Sequence, residues 1–152
     1  MLIIAPTREL ALQIHLVAQP FFATLPDLII ASLIGGTSVG EDVAKLQHGA
    51  HCIVGTPGRI HDVLLRVESL SFRNFEVLIM DEADRLLEMG FQKQLDAIMA
   101  KLPRQRRTGL FSATQSVCLV GFASALCSCL LVMIVSSGAL RLQFVTTVVT
   151  VE

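Results

Sequence analysis

No tryptophan or tyrosine occurs among the 152 residues, and none of the ten glycines is followed by lysine. The first absence removes the usual stacking platforms for nucleobases, because the eight phenylalanines mostly fit core positions. The second removes the Gly-Lys step of a phosphate-cradling P-loop. A global basic field is missing too: twelve Lys and Arg stand against thirteen Asp and Glu, giving a formal charge of −1. Any nucleic-acid contact must therefore come from a local surface. The four cysteines, Cys52, Cys118, Cys127 and Cys129, show no Cys-x-x-Cys spacing and follow no secretory signal, as expected of reduced intracellular thiols. His48, His51 and Cys52 lie close together, but zinc usually needs a second, well-spaced ligand pair.

Charge is also scarce toward the C-terminus. Residues 115–152 carry only Arg141 and Glu152, and all five prolines lie before residue 115. The chain therefore reads as one domain over 1–114, joined to a divergent apolar tail over 115–152. The length suits one ordinary domain with a real core. Val117 to Val135 is free of charge and long enough to cross a bilayer as a helix. A buried terminal helix over 117–135 is the alternative, and Gly121, Ser124 and Ser128 suit it. Residues 142–151 alternate loosely with Val and Thr and look strand-like.

Over the first 114 residues short apolar runs alternate with helical periodicity. Leu2–Ala5, Leu28–Ile34, Cys52–Val54, Val77–Met80 and Thr108–Phe111 read as buried strands. Leu10, Ile14, Val17 and Phe21 recur at helical spacing, as do Leu95, Ile98, Met99 and Leu102. Pro20 is expected to kink or end the first of these helices. The alternation predicts an α/β fold, a parallel sheet with helices on both faces. Met1 almost abuts the first strand, so upstream elements are expected to be missing.

Such sheets bind ligands outside the carboxyl ends of their strands. The polar motifs sit there: Pro6-Thr7-Arg8, Gly35-Gly36, Thr56-Pro57-Gly58-Arg59, Asp81-Glu82-Ala83-Asp84 and Ser112-Ala113-Thr114 each follow or close one of the five strands. Thr56 can cap a helix, Pro57 suits its first position, and Gly58 allows close backbone approach. Exposed N–H groups there would attract a phosphate, with Arg59 adding a full charge. Taken alone, this stretch reads rather as a capping signal with no ligand. Thr7, ahead of Arg8 and Glu9, repeats the arrangement, and Gly35-Gly36 supplies a third bare-backbone site. Three phosphate-sized donor clusters on one edge suit a strand of nucleic acid better than one small ligand. For Asp84, Arg85 and Glu88 the bland alternative is a solvated helical turn with charge pairs. Asp81 and Glu82 end an apolar strand, where two carboxylates need a stronger reason.

The order and spacing of these motifs resemble the first RecA-like domain of DEAD-box RNA helicases. The match runs through Phe75–Phe91 and Gln105–Gln115, and the second run looks most like the subgroup that assembles large ribosomal subunits in the nucleolus. The resemblance implies ATP and Mg²⁺ as cofactors and RNA as partner. Asp81 would hold Mg²⁺ through water and Glu82 would orient the attacking water. Asp84, Ser112 and Thr114 would couple nucleotide state to RNA grip. Pro6, Thr7, Arg8, Gly35, Gly36, Thr56, Pro57, Gly58 and Arg59 would hold the RNA backbone without reading bases. It also implies pre-ribosomal particles as partners and a nucleolar location.

The departures are as informative. The family's adenine-recognising Gln segment, first strand and P-loop precede Pro6 and are absent, as is the second RecA-like domain with its arginine finger. The expected reading is a truncated helicase, inactive toward ATP as this chain alone. Two further readings are a residual RNA- or partner-binding module that competes with the full-length enzyme, and a non-functional chain anchored or aggregated through its tail.

Overall fold

Branched and long apolar residues form the strands, and the polar-flanked periodic stretches form the helices between them. The computed structural model describes residues 1–36, 38–67, 70–113, 130–136 and 139–145. In chain order these give β1 (Leu2–Ile4), α1 (Arg8–Ala23), β2 (Ile30–Leu33), α2 (Val39–Leu46), β3 (Cys52–Gly55) and α3 (Pro57–Arg66). There follow β4 (Val77–Met80), α4 (Ala83–Glu88), α5 (Gln92–Lys101), β5 (Arg107–Ser112), β6 (Leu130–Ser136) and β7 (Ala139–Val145). The sheet runs β2-β3-β1-β4-β5-β6-β7. Every pairing is parallel except the last, in which β7 runs antiparallel to β6.

Connection direction decides which helix covers which face. The step from β1 to β2 crosses the sheet one way, whereas the steps into β3, β4 and β5 cross it the other way. Crossovers of a single hand must then place α1 on one face and α2 to α5 on the other. The core divides accordingly. Leu2, Ile4, Leu33, Leu78, Met80 and Leu110 pack with Leu46, Ile60, Val63, Leu86, Leu95 and Ile98 from α2 to α5. On the opposite face Ile3, Ala5, Cys52 and Val54 meet Ala11 of α1, with Leu10, Ile14 and Phe22 against them.

Three expectations are corrected. Pro20 neither ends α1 nor shortens it, since the helix continues to Ala23. It lies on the exposed side, where water can replace the lost backbone bond. The buried face of α1 is also rotated from the expected one: Val17 and Phe21 are 62% and 70% exposed. Small Ala11 takes the closest approach to the sheet instead. Finally, a helix over 117–135 does not hold for its last part, because Leu130–Ser136 is strand. Apolar residues of that density fit a parallel strand as well as a helix, and β5 offers an open edge for it. Residues 117–129 lie outside the described ones, as do 146–151 of the expected strand. Among the described residues, no helix is long and apolar enough to cross a membrane.

Candidate functional site

Because β1 to β6 are mutually parallel, their carboxyl ends share one edge. Strand order then sorts the motifs. The adjacent trio β2-β3-β1 leads into Gly35-Gly36, Thr56–Arg59 and Pro6–Arg8. The neighbouring pair β4-β5 leads into Asp81–Asp84 and ends in Ser112. One edge thus has a bare-backbone, cationic half and an acidic half.

In the first half, Thr7 caps α1, its hydroxyl accepting from the Leu10 amide at 3.2 Å. Arg8 follows, exposed, and its guanidinium lies over Gly35: a Cβ on Gly35 would stand 2.7 Å from Arg8 Nη2. Only glycine leaves room for that contact. Gly36 has φ +117°, a backbone region that strains any other residue. Among the described residues no carboxylate pairs with Arg8.

Thr56 occupies the position before α3, as expected, yet its side chain makes no capping bond. Pro57, with its fixed φ, already sets the helix start. The Thr56 amide donates to the Leu33 carbonyl at 3.2 Å, tying the end of β3 to β2. Gly58 is open: beyond its chain neighbours and its own helical turn, nothing described lies within 4 Å of where a Cβ would stand. Arg59 differs from the expected free charge. Its Nε donates to Asp42 Oδ2 at 2.8 Å, and the two side chains are 9% and 1% exposed. Lys45 completes the cluster with a 2.9 Å bond to Asp42 Oδ1. Asp42 escaped the sequence reading, although a signal was present: Val39, Val43 and Leu46 define an apolar stripe on which position 42 also falls. A carboxylate on a buried stripe needs a cation from a neighbouring element.

In the second half, the Asp81 amide donates to the Ile4 carbonyl at 2.9 Å, extending the β1–β4 ladder to the motif. Asp81 Oδ1 accepts from the Glu82 amide at 3.0 Å. Burial pushes the Asp81 carboxyl above the usual carboxylate range; the Glu82 amide opposes this and the Glu82 charge adds to it. Glu82 itself sits at φ 46°, ψ 52°, left-handed backbone that is costly for a residue with a Cβ. Its carboxylate meets Arg85 Nη1 at 2.9 Å, an exposed pair that contributes little to stability. Asp84 is buried rather than solvated and accepts from the Arg85 amide at 3.0 Å. Ser112, at the end of the adjoining strand, is buried as well. Thr114 lies outside the described residues.

A family model described as DEAD/DEAH box helicase matches residues 1–119. The chain belongs to that family. It is 56% identical over 124 residues to DEAD-box ATP-dependent RNA helicase 49 of Arabidopsis thaliana, covering 81% of this chain and 22% of that protein. It is 53% identical to DEAD-box ATP-dependent RNA helicase 18 of Oryza sativa subsp. japonica, covering 82% and 19%. With ATP-dependent RNA helicase DDX55 of Gallus gallus it shares 50% identity, covering 76% and 20%. Among solved structures, the yeast DEAD-box splicing factor Prp28 aligns with a TM-score of 0.78 at 31% identity, covering 86% of this chain and 31% of that one. The parallel sheet with helices, of the RecA-like DEAD-box kind, is therefore the fold found. The chain spans about a fifth of the length of these curated relatives.

Proposed function

We propose that this DEAD-box chain acts as the RNA-gripping part of an ATP-dependent RNA helicase, holding single-stranded RNA along the β2-β3-β1 edge. The observation that carries this is the packing of exposed Arg8 over Gly35, which joins two motifs from separate strand ends into one cationic, bare-backbone surface. The open Gly58 and Thr56, whose side chain makes no capping bond, extend it along the same edge. Backbone donors and one guanidinium recognise phosphates and sugars, so base preference should be slight. In a titration of a labelled single-stranded RNA, affinity should fall as salt rises. Arg8→Gln should weaken binding and reduce the slope of log K against log salt by about 0.7, the value of one phosphate contact on a single strand. Binding that ignores ionic strength, or that survives Arg8→Gln with its slope intact, would sink the proposal.

The acidic half supports a narrower reading. Asp81, desolvated at a strand end, suits one carboxylate toward a hydrated Mg²⁺, an ion that keeps most of its waters. When bound, the ion would neutralise charge on transferring phosphates. ATP fits less well, because no Gly-Lys dipeptide occurs in the chain to fix the β- and γ-phosphates opposite that carboxylate. This chain by itself should show no RNA-stimulated ATP hydrolysis above background, and Glu82→Gln should be indistinguishable from wild type. Measurable turnover abolished by Glu82→Gln would reveal a nucleotide site and overturn that reading. The run Gln105–Gln115 supports pre-ribosomal particles as the RNA source and the nucleolus as the compartment.

A further inference from the structure

Arg8 and Arg59 are the two arginines of the RNA edge, yet their surroundings are opposite. Arg8 is exposed and, among the described residues, meets no carboxylate. Arg59 projects from the first turn of α3 but spends its Nε on Asp42, with both side chains removed from water. Asp42 belongs to α2, the helix that follows Gly35-Gly36, while Arg59 belongs to the helix that Thr56-Pro57-Gly58 starts. The ion pair is therefore a bolt between two grip segments, in which Arg59 is turned onto a buried carboxylate. A buried pair broken on one side leaves an uncompensated charge, so the two helices have a strong reason to keep their spacing.

We infer that Asp42 is a positioning residue for the RNA grip, acting through Arg59, and that Arg59 orients the α3 N-terminus rather than neutralising a phosphate. This rests on the RNA-binding reading above. The consequence is a division of labour: Arg8 supplies charge, whereas Asp42 and Arg59 supply spacing between Gly35-Gly36 and Thr56–Gly58. Lys45 also bonds Asp42, so Arg59→Gln leaves that carboxylate a cation within reach and is the gentler way to cut the link.

The test is a salt titration of single-stranded RNA binding by the full 152-residue chain, comparing wild type, Arg59→Gln, Asp42→Asn and the double variant. Each single variant should lose about three- to tenfold in affinity with the salt slope unchanged. The double variant should lose no more than the worse single one, because both act through one link. Thermal melts of the same samples report whether each is folded. A variant that merely destabilises the fold lowers its melting temperature without changing the affinity of the folded fraction, which would refute the positioning role. A slope reduced by about 0.7 in Arg59→Gln would make Arg59 a direct phosphate ligand and overturn the inference. Additive losses in the double variant would do the same. Should Asp42→Asn fail to fold, the Arg59→Gln slope decides alone. Absence of RNA binding by wild type would instead condemn the RNA-binding reading, a distinguishable result.

Discussion

At the residue scale, the glycines of the RNA edge separate binding from folding. A side chain on Gly35 would push Arg8 aside, and one on Gly36 would be strained by its φ of +117°, but Gly58 faces open space inside a helix. Alanine removes the backbone-entropy penalty that glycine brings to a helix, so Gly58→Ala should stabilise the fold by roughly 0.5–1 kcal/mol. On the proposed RNA grip the added methyl would stand where a sugar-phosphate approaches, so RNA affinity should fall. Chemical denaturation and the RNA titration, run on one preparation, check both directions. Cys52 offers a separate test. Burial pushes its thiol up to about 11, with the N-terminal amino group opposing. The unfolded chain releases that proton near its ordinary value of 9.0, whereas the folded chain keeps it. The folded state then binds more protons between these values, so stability is lost as pH rises from about 9 to 11. Urea midpoints across that range should fall for wild type and stay flatter for Cys52→Ala.

At the scale of elements, five strands, the periodic stretches of α1 and α5 and the start of α3 were legible, whereas α2 was not; each strand is a short apolar run closed by a polar motif. Val77–Met80 was placed to the residue. Which face of a helix turns inward was less legible. Val17 and Phe21 share the spacing of Leu10 and Ile14, but the sheet accepts α1 through Ala11, a small residue that hydropathy ranks low. Substituting Phe21→Lys should therefore change stability by less than about 0.5 kcal/mol, the usual range for an exposed site. Ile98→Ala in α5, fully buried, should cost about 2–5 kcal/mol. Melting of the two variants side by side reads out which face is inside. The apolar stretch after residue 130 misled for a physical reason: hydropathy without period does not distinguish a buried strand from a helix. The burial of Asp42 left a signal in the apolar stripe of α2, but its partner was not legible, because an ion pair across two helices leaves no mark of the second helix in local spacing.

At the scale of the whole molecule, parallel strands gather every motif at one edge, and their order splits that edge into a cationic and an acidic half. The motif order along the chain does not reveal this split; the crossover topology creates it, with β1 inserted between β3 and β4. The left-handed backbone at Glu82 lies on the acidic side of that seam and has a consequence for anyone who evolves this protein in the laboratory. Glycine or asparagine would occupy φ 46°, ψ 52° more comfortably than glutamate does. A library selected only for heat resistance should therefore accumulate those two residues at position 82, discarding the carboxylate for a gain of about 1 kcal/mol. Thermostability rankings of variants would then run opposite to usefulness at this one position, and a selection that ignores the site would erase the signature by which the family is read.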